Sequence, residues 1–167
     1  RFWRDALAGL ETPTLLANTL ATNRTLEAEG HGSIALAVNA ELTGRLKAFA
    51  KHERVTLNTL IQGAWAQLLR RHSGQTAVSF GVTVSGRPAE LSGSEEMVGL
   101  FINTLPIVDA PSPQAGVGDW LRQLQEQNLA LREHGWTPLY EIQRLAGHAG
   151  QTLFDSILVF ENYPIDE

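Results

Sequence analysis

Residues 77–85, Ala77-Val78-Ser79-Phe80-Gly81-Val82-Thr83-Val84-Ser85, alternate large apolar and small side chains. In an extended chain successive side chains point to opposite faces. Val78, Phe80, Val82 and Val84 therefore share one face, and Ala77, Ser79, Gly81, Thr83 and Ser85 the other. The large face predicts a strand packed on helices. The small face fits either a groove that lets something lie close to the backbone or a second element packed tightly there. The alternation alone leaves both open.

Immediately upstream lies the strongest helix signal. Leu57, Leu60, Ile61, Ala64, Trp65, Leu68 and Leu69 recur at helical steps and form one wide apolar face. Thr56 suits the N-cap, Arg70, Arg71 and His72 suit the negative end of the dipole, and Gly74 suits a left-handed stop. Trp65 belongs to this packing stripe and is not read as a ligand. Before it, Ser33 to Asn39 reads as a strand, and Leu42, Leu46, Phe49 and Ala50 mark a short amphipathic helix. Phe2, Trp3, Ala6, Leu7 and Leu10 predict an opening helix over 2–10, and the stretch from Pro13 to Gly32 reads as loop.

Downstream, Gly86 to Glu96 is a loop rich in Gly, Ser, Pro and acid, and Val98 to Val108 reads as a strand. Pro106 pushes its later half to an edge or a bend. Pro111 to Gly118 is a linker. Trp120, Leu121, Leu124, Asn128 and Leu131 share one side of a helix over 119–133, which Gly135 ends. Thr137 and Pro138 start a shorter helix as cap and first residue. Leu153 to Phe160 is the last strand, terminated by Asn162-Tyr163-Pro164. The order predicts an α/β fold: a two-layer sandwich with a mixed sheet of four strands covered by helices. Four strands are few for a self-contained sheet, so its edges are expected to be completed by other chain.

With 167 residues, 43 % hydrophobic and 19 % charged, the chain suits one folded domain or one lobe of a larger one. A formal net charge of −5 argues against broad nucleic-acid binding. No cysteine is present, which excludes disulfides, zinc-thiolate sites and thiol nucleophiles. No apolar run approaches the roughly 18 residues of a membrane helix, so neither a membrane nor nucleic acid is expected as a partner.

Chemistry-bearing motifs are sparse. There is no G-x-S-x-G elbow, and Ser85 has no evident base beside it. His31, His52, His72, His134 and His148 show no metal-ligand spacing, so no metal site is expected. Gly116-Val117-Gly118 opens a helix without the third glycine of a phosphate loop, and Asp119 would repel a phosphate there. Asn23-Arg24-Thr25 matches a glycosylation sequon, read as chance without a secretory signal. Two polar residues stand out. Asn103, inside an apolar strand, either pins a neighbouring loop or aims its amide into a cleft. Arg87, just past Ser85, either ties its loop to Glu90, Glu95 or Glu96 or anchors something at a cleft mouth.

Val98-Gly99-Leu100-Phe101-Ile102-Asn103-Thr104-Leu105-Pro106 resembles the strand motif of condensation domains from nonribosomal peptide synthetases. Phe80 to Pro88 resembles the strand and Gly-Arg turn before it, His134 to Ile142 the motif after it, and Phe154 to Pro164 the closing one. The opening Phe2-Trp3 with Leu7, Gly9 and Leu10 resembles the first helix of the family's C-terminal lobe. The resemblance spans the whole chain with its motifs in order. It implies a chloramphenicol acetyltransferase-like architecture, two α/β lobes forming a V with a tunnel between them. Donor and acceptor carrier proteins would deliver thioesters on phosphopantetheine arms, which are substrates and not bound cofactors. The family's His-His-x-x-x-Asp-Gly signature is absent, since no two histidines are adjacent. The resemblance therefore implies that residues 1–167 are a C-terminal lobe with no catalytic residue of its own, and the missing start Met suits an excised piece. It also implies an N-terminal lobe, an adjacent adenylation domain and a cytoplasmic setting. Asn103, Ser85 and Arg87 carry over as substrate-channel or structural residues. Two alternatives remain at this point: an epimerization or cyclization domain of the same fold, or a noncatalytic condensation-like module that recruits a partner protein. Whether the lobe counts as an enzyme depends on the lobe it lacks.

Overall fold

The computed structural model describes residues 1–20, 31–85, 93, 97–99 and 101–161. Arg87, most of the 86–96 loop, the Asn23 sequon and the closing Asn162-Tyr163-Pro164 lie outside these residues. The elements run α1 (Phe2–Ala6), α2 (Leu16–Leu20), α3 (Ala40–Glu53), α4 (Leu57–Ser73), β1 (Val78–Ser85), β2 (Ile102–Asp109), α5 (Val117–Glu133), α6 (Leu139–Leu145) and β3 (Ile157–Leu158). The fold is α/β, with one mixed sheet of order β2-β1-β3. β1 pairs antiparallel with β2 and parallel with β3.

Local chemistry sets the main helix boundaries. Asn39 caps α3 by accepting from Leu42 N at 2.8 Å, and Thr56 Oγ1 caps α4 by accepting from Thr59 N at 3.1 Å. Gly74 ends α4 with φ 72°, a left-handed backbone that costs glycine little. Gly63 lets α4 and α5 approach closely, since a Cβ there would stand 2.7 Å from Leu121 Cδ2.

The large face of β1 carries the core. Phe80 and Val78 are fully buried, with the buried Ile107 of β2 opposite Phe80 and Leu105 opposite Val82. Asp109 pairs with Val78 and so shares that face. Its carboxylate takes hydrogen bonds from Arg70 of α4 and from Trp120 Nε1 of α5, the latter at 2.8 Å. These two helices are the layer over the sheet.

Several sequence expectations are corrected. The described residues form three strands, not four: 33–39 is extended but pairs with nothing. The predicted 153–160 strand is reduced to Ile157–Leu158 plus an isolated bridge from Thr14 to Phe154. The opening helix stops at Ala6, while α3 runs longer than its apolar stripe. α2 arises where a loop is predicted, because the Asp155 carboxylate accepts from Leu16 N and Ala17 N at 2.8 Å each. Pro138, not Thr137, is the cap residue of α6.

The small face of β1 is filled, not open, over Ser79 and Gly81. Ser79 N donates to Thr14 Oγ1 at 2.8 Å, and its hydroxyl donates to Leu153 O at 2.6 Å. A Cβ on Gly81 would stand 2.7 Å from Phe154 Cε2 and 2.9 Å from Thr104 Cγ2. Glycine here makes room for the Phe154 ring, and the tight-packing reading of the alternation prevails at these positions.

Candidate functional site

Ser85 and Asn103 stand at the same end of the β1–β2 pair. Ser85, the last residue of β1, pairs with Ile102, and Val84 pairs with Asn103. Arg87 follows two residues later in the chain, outside the described residues.

Asn103 directs its amide into the turn between α5 and α6. Nδ2 donates to Gly135 O and Thr137 O, both at 2.8 Å, while Oδ1 accepts from Thr104 N at 2.9 Å. Both N–H groups and the oxygen are thereby committed to backbone. The turn closes on itself through Gly135 N to Arg132 O and Thr137 N to His134 O, each 3.1 Å. It also packs on β1, where a Cβ on Gly135 would stand 3.7 Å from Val84 Cγ2. From the other side, α1 supports it: the His134 ring lies 4.0 Å from Phe2 and 6.4 Å from Trp3, centroid to centroid.

Between the two pinned carbonyls stands Trp136, 78 % exposed, and Tyr140 follows at 71 %. Ile102 is exposed on the adjoining strand end. The result is a rigid aromatic ledge beside the end of the sheet. The sequence hint was Asn103 in an apolar strand; Gly135 and Thr137-Pro138 marked the turn itself, but nothing local linked it to an amide over thirty residues away.

The ledge holds no catalytic constellation among the described residues. His52 Nδ1 lies 3.1 Å from Glu53 Oε1 at the end of α3, and His148 Nδ1 lies 3.2 Å from Gln151 Oε1. No group of three metal-ligating side chains occurs among the described residues. The shifted ionisations belong to ion pairs. Hydrogen bonds from His52 and then Arg122 hold Glu53 below the ordinary carboxylate range. Arg144 does the same for Glu141 on α6.

A separate cleft of about 290 Å³ lies at the opposite end of β2, between Gly9, Val108, Asp109, Trp120 and Gln127. Asn103 does not line it. No helix of the described residues is long and apolar enough to cross a membrane.

Comparison with known proteins bears on this geometry. The family described as Condensation domain matches residues 1–167. A linear gramicidin synthase protein of Brevibacillus parabrevis is 47 % identical over all of this chain, which spans 2 % of that protein. A surfactin synthase protein of Bacillus subtilis is 37 % identical, again over the whole chain, which spans 13 % of it. Among solved structures, the X-domain from teicoplanin biosynthesis superposes with a TM-score of 0.74 at 26 % identity, covering 93 % of this chain and 35 % of that one. The first condensation domain of the calcium-dependent antibiotic synthetase superposes with a TM-score of 0.67 at 21 % identity, covering 99 % and 35 %, a likeness of fold.

Proposed function

The chain belongs to the condensation domain family, and on that premise we propose that residues 1–167 form the C-terminal lobe of an amide-forming domain. The lobe is one wall of a tunnel, and an N-terminal lobe is the other. An acceptor amine attacks the carbonyl of a donor thioester. The C–N bond forms, the C–S bond breaks, and the amine proton leaves as the thiol is released. Donor and acceptor carrier proteins supply both groups on phosphopantetheine arms, in the cytoplasm and beside an adenylation domain.

The observation that carries this reading is the apolar surface left uncovered. Ile34 and Leu36 are 98 % and 88 % exposed, and Val98, Trp136 and Tyr140 join them. A monomer with its full complement of partners rarely leaves so many large apolar side chains in water. The sequence has no adjacent histidines, so on this reading the imidazole of the amine step comes from the other lobe. On this reading Ser85, at the strand end, and Arg87, two residues later in the chain, line the channel. Asn103 is a positioning residue that keeps the Trp136 turn against that strand end. The X-domain from teicoplanin biosynthesis, solved in complex with OxyB, shares less identity with the chain than the gramicidin and surfactin synthases do, so the recruiting-module alternative is not favoured.

The test is amide formation between two loaded carrier proteins. The intact domain is expected to form product and this chain alone none. Product from the purified chain alone, or none from the intact domain with its carriers, overturns the proposal.

A further inference from the structure

We infer that residues 33–39 are an arm that adds as a β-strand to the open edge of a sheet in the companion lobe; the inference rests on the two-lobe reading of the domain. The segment Ser33-Ile34-Ala35-Leu36-Ala37-Val38-Asn39 is extended, and none of residues 31–38 makes a hydrogen bond among the described residues. Ile34, Leu36 and Val38 fall on one face at a period of two, and all three are exposed. Ala35 and Ala37 fall on the other. An apolar stripe of this period needs a core on one side, and bare backbone N–H and C=O groups need a ladder. Strand addition supplies both at once. Helix α3 begins at Ala40 with Asn39 as its cap, so the arm leaves a rigid base.

The acceptor is not this chain's own sheet, nor that of a second copy. β2 is the outer strand, and its residues 104, 106 and 108 turn their backbone outward. Gly81 N donates to Ser156 O, away from β2, which makes Gly81–Pro106 a non-hydrogen-bonded pair and fixes that parity. Each of these outward positions lacks one of the two groups a ladder would use. Thr104 N is taken by Asn103 Oδ1, Pro106 has no N–H, and Val108 O accepts from Gln127 Nε2 at 2.9 Å. On the other side β3 pairs over two residues only, and the stretch before it is covered by Thr14, whose N donates to Leu153 O at 3.0 Å. The matched condensation domain is nearly three times as long as the region this chain covers, 35 % of it. The sheet that accepts the arm belongs to that remainder.

Hydrogen exchange on the intact condensation domain tests this, with amide formation read in parallel. Alternate amides within residues 34–38 are expected to exchange at least about tenfold more slowly than in an unstructured peptide. Ala37→Pro or Ala35→Pro, which leave the apolar stripe in place, is expected to abolish the protection. An active domain in which residues 34–38 exchange at the peptide rate overturns the arm and leaves the tunnel-wall reading standing. A domain inactive with its carriers counts against the underlying reading instead. Protection of 34–38 in this chain alone, sedimenting as a dimer, assigns the acceptor to a second copy and overturns the inference.

Discussion

Asn103 Nδ2 lies 2.8 Å from the carbonyl oxygen of Thr137, joining the edge strand to a turn distant in sequence. The same amide nitrogen also serves Gly135 O, so one side chain holds both ends of the Trp136 turn. Asn103→Ala leaves two carbonyls and the Thr104 N–H without partners. An unpaired buried group costs about 1–3 kcal/mol, and part of this loss is recovered by water at a half-buried site. Asn103→Asp is expected to be worse than Ala, because it turns a carboxylate oxygen toward two carbonyls. Urea unfolding of the three proteins checks the order; equal midpoints for Asn and Asp would remove the pin.

Gly81 and Phe154 predict a compensating pair. Gly81→Ala pushes a methyl into the Phe154 ring, and overpacking of this kind costs about 1–3 kcal/mol. Phe154→Leu shortens the obstructing side chain. The double variant should lose less than the sum of the two single losses. Thermal melts of all four proteins in a double-mutant cycle measure the coupling, and additive losses would show that the ring does not set the need for glycine.

Arg70, Asp109 and Trp120 form a buried knot between α4, β2 and α5. The guanidinium also lies 5.2 Å from the centroid of the Trp120 ring. Asp109→Ala strands the Arg70 charge and the indole N–H, an expected loss of about 3–5 kcal/mol. Trp120→Phe keeps the ion pair and the ring and removes one hydrogen bond to a carboxylate, an expected loss of about 1–3 kcal/mol. Chemical denaturation separates the two; a milder effect from Asp109→Ala than from Trp120→Phe contradicts the charge argument.

Acid should loosen the α3–α5 contact. Glu53 is held below its ordinary value of 4.5 by its hydrogen bonds to His52 and Arg122. A depressed carboxylate stabilises the fold fully above the ordinary value. That contribution drains away as pH falls from there through the folded-state value. Glu141, depressed by Arg144, acts in the same direction. The melting temperature should therefore drop on acidification below about pH 5, and Glu53→Gln should flatten that drop while lowering the plateau at neutral pH. A variant whose acid slope matches the parent's would place the titration elsewhere.

Local patterns were enough to read much of this protein. The apolar stripe from Leu57 to Leu69, with Thr56 and Gly74 at its ends, specified α4 because cap chemistry and helical period act within a few residues. Alternation over 77–85 specified β1 and its core face, and the ordered motifs from Phe80 to Pro164 specified the family. What depended on distant partners could not be read locally. α2 exists through a carboxylate at Asp155, some 139 residues away. Ser33 to Asn39 carries the period of a strand yet pairs with nothing among the described residues, because a ladder requires a second backbone that spacing does not reveal. The small face of β1 allowed a groove or a neighbour, and the Phe154 ring decided it. Asn103 announced a buried amide, but only the fold showed that it grips Gly135 and Thr137. A polar group's partners are set by how the chain packs in three dimensions, while its own identity states only that it must have some.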